Sequence, residues 1–248
     1  MIAFVTGATA GFGYAMVQYF ARNGWKVVAA GRRVERLEPL QKEFGEKILP
    51  VKLDVTDRDA VFKAVEGLPA GFAQVDVLVN NAGGALGLEP AQRANLDDWD
   101  RMVDTNIKGV MYCTRAFLPG MVERKRGHVI NIGSIAGEFP YPGGNVYGGV
   151  KAFVRQFSLN LRADLLGTSV RVTDVEPGLT GGTEFSEVRF KGDKTKAAAV
   201  YAGADAMTPE DIAEMVYWVA TRPARVNVNT ISVMATCQAF SPFAIHRN

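Results

Sequence analysis

Residues 2–13 read IAFVTGATAGFG, a short run of β-branched and apolar residues that breaks into a turn carrying Gly7, Gly11 and Gly13. Apolar positions then recur at Ala15, Met16, Tyr19 and Phe20, the spacing of one buried face of a helix. Strand, glycine turn and helix in that order form a unit with a physical purpose. Glycine lets the backbone turn sharply and lie close to a pyrophosphate, whose charge is stabilised by the free N–H groups and positive end of the following helix. The spacing is GxxxGxG rather than GxGxxG, and such a turn alone is weak. Its place between a first strand and a first helix makes it a dinucleotide-binding signal.

Working outward, the same alternation fills the chain. Strand-like runs fall at 2–6, 26–31, 49–54, 76–81, 128–133, 170–176 and 230–234, with helical patterns between them. The runs are continuously apolar, as expected of strands covered on both faces. Thr208 before Pro209 reads as an N-cap followed by proline at the first helical position. The expected fold is α/β: a single-domain, Rossmann-type, doubly wound parallel sheet of about seven strands with helices on both faces, spanning 1–248. Two long helical stretches, about 97–124 and 145–166, bracket the fifth strand. The segment 179–207 reads as either a substrate lid or an ordinary surface excursion. A tail at 235–248 follows the last strand; its apolar residues are expected to pack on their own subunit or a neighbour.

Composition bounds the function. Hydrophobic residues are 48% and charged residues 22% of the 248, the balance of a globular protein with a sizeable core. A net charge of +2 with no long basic run argues against nucleic-acid or membrane partners. No stretch is apolar for long enough to span a bilayer, and the first residues lack a signal-peptide pattern. Cys113 and Cys237 show no metal-ligand or CxxC spacing and read as buried packing thiols. The expectation is a cytoplasmic protein with reduced cysteines and no metal; neither His246 nor the other histidine has a partner pattern for ligation.

The end of the second strand addresses which dinucleotide binds. An NAD enzyme would carry Asp or Glu about 20 residues beyond the glycine turn, where it accepts bonds from the ribose hydroxyls. Here the strand ends AAGRR, and Arg32 and Arg33 offer guanidinium donors to the 2′-phosphate of NADP(H), unless they are merely a solvated pair. Asp54 closes the third strand, where its carboxylate either reaches the adenine amino group or caps a helix.

Tyr147 and Lys151, in VYGGVK, stand four apart, on one face of a helix and one turn from each other. Such a pair is common by chance. Its weight comes from Ser134 in INIGS after the fifth strand, Asn106 in DTNIKG on the preceding helix, the NNAG turn at 80–83 and the glycine turn itself. In this order the set resembles the short-chain dehydrogenase/reductase family along nearly the whole chain.

That resemblance implies roles, position by position. Tyr147 would pass a proton to the carbonyl oxygen or take it back, and Lys151 would lower the tyrosine's pKa and hold the nicotinamide ribose. Bringing a tyrosine of pKa about 10 to work near pH 7 needs roughly 4 kcal/mol of preferential phenolate stabilisation. Ser134 would hydrogen-bond the substrate oxygen, and Asn106 would help hold a water linking Lys151 to solvent. The cofactor set would comprise Gly7, Thr9, Gly11, Phe12, Gly13, Arg32, Arg33, Asp54, Val55, Asn81, Tyr147 and Lys151. Pro177, Gly178, Thr180 and Thr183 of EPGLTGGT join it by matching the family's PGxxxT turn.

The stretches GGNVYG, KAFVRQFSLNLR and EPGLTGGTEFSEVRFKGD further resemble the NADP-dependent 3-hydroxy acid dehydrogenases. This implies a short hydroxy acid such as serine, allo-threonine or a 3-hydroxypropionate-type compound, or malonic semialdehyde in reverse; similar enzymes reduce sulfoacetaldehyde to isethionate. Such a small anionic aldehyde or hydroxy acid needs a cationic or donor-rich pocket opposite Tyr147 and Ser134. Arg189 and Lys191 are the candidates, against a solvated basic face, and Glu138, Phe139 and Tyr141 either line the other wall or pack. Family resemblance also implies a homotetramer built through the two long helices and the last strand. Two rival readings are a non-catalytic NADP(H)-binding sensor and a reductase of bulky ketones.

Overall fold

The computed structural model describes residues 1–240, so the end of the 235–248 tail, with His246 and Arg247, lies outside the described residues. Seven parallel strands are named here in chain order: β1 Ile2–Thr6, β2 Lys26–Gly31, β3 Ile48–Lys52, β4 Val77–Asn80, β5 Gly127–Ile132, β6 Val170–Pro177 and β7 Thr230–Val233. They form one sheet in the order β3-β2-β1-β4-β5-β6-β7. The order reverses between β1 and β4, and at such a switch point the crevice beyond the carboxyl ends of the strands takes the ligand. Gly7, Arg32, Asn81 and Gly178 follow strand ends directly, and Ser134 stands one residue further beyond β5, so all gather along this one edge.

One face of the sheet is covered by α1 Gly11–Arg22, α2 Glu38–Phe44 and α9 Pro209–Ala220, the other by α3 Arg58–Glu66, α5 Gly109–Glu123 and α6 Asn145–Asp164. Val5, Val27, Val79, Ile130 and Val175 meet Met16, Phe20, Ile212 and Val216 in the first layer. Phe4, Val28, Leu78, Val129 and Val172 meet Phe117, Met121 and Leu161 in the second. Side chains alternate across a strand, so neighbours such as Phe4 and Val5 serve opposite cores. Each fully buried side chain of this size contributes about 1.5–3 kcal/mol against leaving it in water.

The expected helix at 97–124 is interrupted. α4 Leu96–Val103 runs into a π turn at Asp104–Lys108 before α5 begins. Asn106 lies in that turn, whose wider winding disrupts the regular helical ladder. Thr208 caps α9 in a reciprocal box with Asp211, as its place before Pro209 implies. The 179–207 segment holds α7 Phe185–Arg189 and α8 Lys194–Ala199, and Gly87 N–H donates to the Arg189 carbonyl at 3.0 Å. Among the described residues no helix is long and apolar enough to cross a membrane.

Candidate active site

The glycine turn is built as a cradle. Gly7 has φ +65, which favours glycine, and a Cβ on Gly13 would strike the Gly7 carbonyl oxygen. Ala10, before α1, offers no side-chain cap, so the first N–H groups of that helix are left for an anion. Thr9 is buried beside Gly31, Phe12 packs partly into the core, and Gly11 faces the Thr183 side chain. Asn81 holds the turn from the end of β4. Its side-chain amide donates to the carbonyls of Thr6 at 2.8 Å and Gly7 at 3.3 Å, pinning the turn. A cleft of about 430 Å³ opens here, bordered by Thr9, Gly11, Arg36, Thr183 and Glu184.

The arginines at the end of β2 divide. Arg32 has no hydrogen bond or ion pair among the described residues, whereas Arg33 donates to Glu184 at 2.7 Å. Arg36, which sequence reasoning passed over, donates to the other carboxylate oxygen of Glu184 at 2.6 Å. The two guanidinium groups hold the Glu184 carboxyl below its ordinary range. Three cations and one anion thus stand beside the cradle, an excess of positive charge suited to a phosphate. Uncapped N–H groups, a glycine-only turn and free guanidinium charge together fit a phosphorylated dinucleotide.

Asp54 caps no helix: its Oδ1 accepts from Thr56 N–H and Oγ1 in a local turn, while Asp57 caps α3. Val55 is buried against Gly109, leaving only its backbone for a ligand. Ser134 Oγ, beyond β5, lies 3.5 Å from the carbonyl of Pro177 at the end of β6. Thr180 donates to the Gly178 carbonyl, and the Thr183 hydroxyl accepts from Phe185 N–H.

Tyr147 and Lys151 lie on the buried face of α6 as their spacing implies, with the ammonium 5.8 Å from the phenol ring centroid. Lys151 Nζ donates to the Ile132 carbonyl at 2.8 Å. Asn106 brackets the same space: its amide donates to the Gly84 and Met102 carbonyls, and its Oδ1 accepts from Gly84 N–H. Ser134, capping the short turn after β5, completes the set. Burial pushes Tyr147 up to about 12, against the pull of the Ser134 hydroxyl and the Arg189 charge. Burial also brings Lys151 down to about 8. At neutral pH Tyr147 therefore keeps its proton and most of Lys151 its charge, the state needed to protonate a carbonyl oxygen.

The two candidate anion ligands separate. Arg189 comes to the site, its guanidinium carbon 5.6 Å from the Tyr147 ring centroid, held by bonds to the Tyr141 hydroxyl at 2.8 Å and the Gly87 carbonyl at 3.1 Å. Lys191 instead pairs with Asp98 at 2.7 Å. Phe185 packs edge-on to Tyr147 at 5.8 Å between centroids. Of the expected wall, Tyr141 supports Arg189, but Glu138 binds Arg155 and Phe139 packs on Phe240. Cys113 is buried; Cys237 is exposed, contrary to expectation, because the chain after β7 lies at the surface.

Comparison with known proteins bears on this arrangement. The short chain dehydrogenase family model matches residues 1–194. The chain belongs to the short-chain dehydrogenase family. Among family relatives, the NADP-dependent 3-hydroxy acid dehydrogenase YdfG of Salmonella typhi is 61% identical over 248 residues, the whole of both chains. A solved closed form of serine dehydrogenase complexed with NADP+ superposes with a TM-score of 0.99 at 58% identity, covering all of both chains. Serine dehydrogenase from Escherichia coli superposes at 0.86 with 53% identity, covering 97% of this chain and 100% of that one. This short-chain dehydrogenase thus shares its backbone nearly completely with the closed form.

Proposed function

We propose that the protein is an NADP(H)-dependent oxidoreductase interconverting a short hydroxy acid and its semialdehyde or keto form. The observation that carries this reading is Arg189, a cation held over the face of Tyr147, so that an anionic group and a carbonyl on one short substrate would meet both at once. The names of the relatives point to the same substrate class and cofactor.

When bound, the nicotinamide supplies or accepts the hydride. The chain does the rest. Gly7, Gly11, Gly13 and the start of α1 seat the pyrophosphate, and Arg32 and Arg33, joined by Arg36, take the 2′-phosphate. Ser134 donates to the substrate oxygen, and Tyr147 gives that oxygen its proton. Lys151 favours the phenolate left behind by its charge, and Asn106 fixes the turn beside it. Arg189 binds the substrate anion by charge-assisted bonds, and the 179–207 segment that carries it serves as the lid, excluding water when it docks through Gly87 and Tyr141.

The decisive assay is NADPH consumption with malonic semialdehyde, sulfoacetaldehyde and an uncharged aldehyde of equal length, alongside NADP+ reduction with serine and allo-threonine. Losing a charged hydrogen bond costs about 1.5–3 kcal/mol, so the anionic aldehydes should exceed the neutral one about 10- to 100-fold in kcat/KM. Equal rates would refute the anion pocket, and turnover of bulky ketones alone would favour the rival reductase. A sulfonate fits the same guanidinium, so the ranking of the two anions decides between isethionate and hydroxy acid chemistry.

We also infer a homotetramer. Met111 on α5 and Leu159 on α6 are exposed, Phe153 and Phe157 stack on α6, and β7 is an open sheet edge. Light scattering should give four chains; a stable monomer would contradict it. The exposed, unpaired Cys237 fits a reducing, cytoplasmic setting.

A further inference from the structure

Two carboxyl groups that no motif names lie under the site. Asp174 and Glu176 stand two apart on β6, so both point to the α6 side of the sheet, and each residue is 1% exposed. None of their four oxygens has a hydrogen-bond partner among the described residues. A buried carboxylate left so is costly unless a proton is shared or a cation stands near. Both remedies are at hand. Burial and the neighbouring Glu176 both raise the affinity of Asp174 for a proton, so one proton held by the pair relieves the repulsion between them. Arg155 approaches Glu176 at 3.6 Å from Nε while binding Glu138 at 2.7 Å, and Lys151 adds its charge to Asp174.

The fold makes room for this pair. A Cβ on Gly133 would lie 2.5 Å from Asp174 Oδ1, so the glycine after β5 leaves the space the carboxyl fills. The residue before it, Ile132, supplies the carbonyl that takes the Lys151 ammonium. Tyr147, Lys151 and Arg155 form one stripe along α6, at steps of four, facing this end of β6. The charged groups facing Asp174 and Glu176 are Lys151 and Arg155 from α6 and Glu138 from the turn after β5; β7 presents only Thr230 and Ser232 in register.

We propose that Asp174 is a positioning residue for the reaction: seated beside Gly133 and sharing a proton with Glu176, its carboxyl keeps the buried Lys151 in its charged form as the pH rises. Burial works against the Lys151 charge, and the Asp174 carboxylate is the neighbour that restores it. Burial and Glu176 both raise the affinity of Asp174 for its proton. Asp174 and Lys151 both titrate at about 8, so the two are linked: the further Asp174 is ionised, the more firmly Lys151 keeps its proton. The proposal rests on the assignment of Lys151 as the cation that supports Tyr147.

The sign of the effect separates this role from a structural one. In Asp174→Asn the support is gone, and the Lys151 midpoint, near 8 in the parent, should fall by about one pH unit. In Glu176→Gln the like charge is gone, Asp174 ionises earlier, and the Lys151 midpoint should rise. Lys151 is followed by NMR of cofactor-free protein carrying isotope-labelled lysine, its resonance identified by its loss in Lys151→Met. The alkaline limb of carbonyl reduction should move the same two ways. An unmoved Lys151 midpoint in both variants, or movement in the same direction, would overturn the proposal. Should Asp174→Asn fail to fold, an unmoved or lowered midpoint in Glu176→Gln overturns it alone. The NMR titration needs no turnover, so a failure of the catalytic assignment, read from Tyr147→Phe, is distinguishable from a failure here.

Discussion

The three arginines beside the glycine cradle should contribute unequally to cofactor choice, because they begin from different states. Arg32 has no partner among the described residues, so its full charge is available to a 2′-phosphate. Arg33 and Arg36 share Glu184, with side chains 44% and 43% exposed and the carboxylate 37% exposed. Such half-exposed pairs are worth under about 1 kcal/mol, yet a phosphate must compete with Glu184 for both of them. A charged hydrogen bond lost from a phosphate costs about 1.5–3 kcal/mol, so Arg32→Ala should lower kcat/KM for NADPH about 10- to 100-fold. Arg33→Ala should cost less and Arg36→Ala least, under about tenfold. Values for NADH should stay within about twofold in all three, since it lacks the phosphate. The assay is initial rate against cofactor concentration at fixed ionic strength. If Arg32→Ala and Arg33→Ala together left the NADPH to NADH ratio intact, the assignment of these residues to the phosphate would be wrong.

Two further outcomes follow from where side chains are placed. Arg189→Ala should remove the preference for anionic over neutral aldehydes, whereas Lys191→Ala should leave that ranking alone and loosen only the contact with Asp98; kinetics on the same substrate pair distinguishes them. A thiol reagent at pH 8 should modify Cys237 rapidly and Cys113 only on unfolding, because burial pushes the Cys113 thiol up to about 12 and leaves a thiolate fraction of about one in ten thousand. Two fast-reacting thiols in the native protein would contradict the buried setting of Cys113.

The strands were legible almost to the residue, since runs such as Ile2–Thr6 and Lys26–Gly31 must be apolar on both faces and end at glycine. Tyr147 and Lys151 were legible as a pair because helical periodicity alone puts them on one face. What escaped was set by partners distant in the chain. Glu184 meets Arg36 across 148 positions, and nothing local to either announces the bridge. Lys191 resembled Arg189 in sequence until Asp98 claimed it. The π turn at Asn106 has no local residue signature in DTNIKG to announce it. Asp174 and Glu176 passed as ordinary members of the VRVTDVE strand, because a carboxyl pair declares itself only when burial and neighbours are known.

The central claim is that Tyr147 delivers the proton in an NADP(H)-dependent reduction, and Tyr147→Phe tests it most directly. The ring would keep its contacts with Phe185 and Arg189 while the hydroxyl, held protonated through the neutral range, is lost. NADPH binding, followed by fluorescence titration, should stay within about twofold, and kcat with malonic semialdehyde should fall by about 10²- to 10⁴-fold. Turnover at the parental rate would contradict the account.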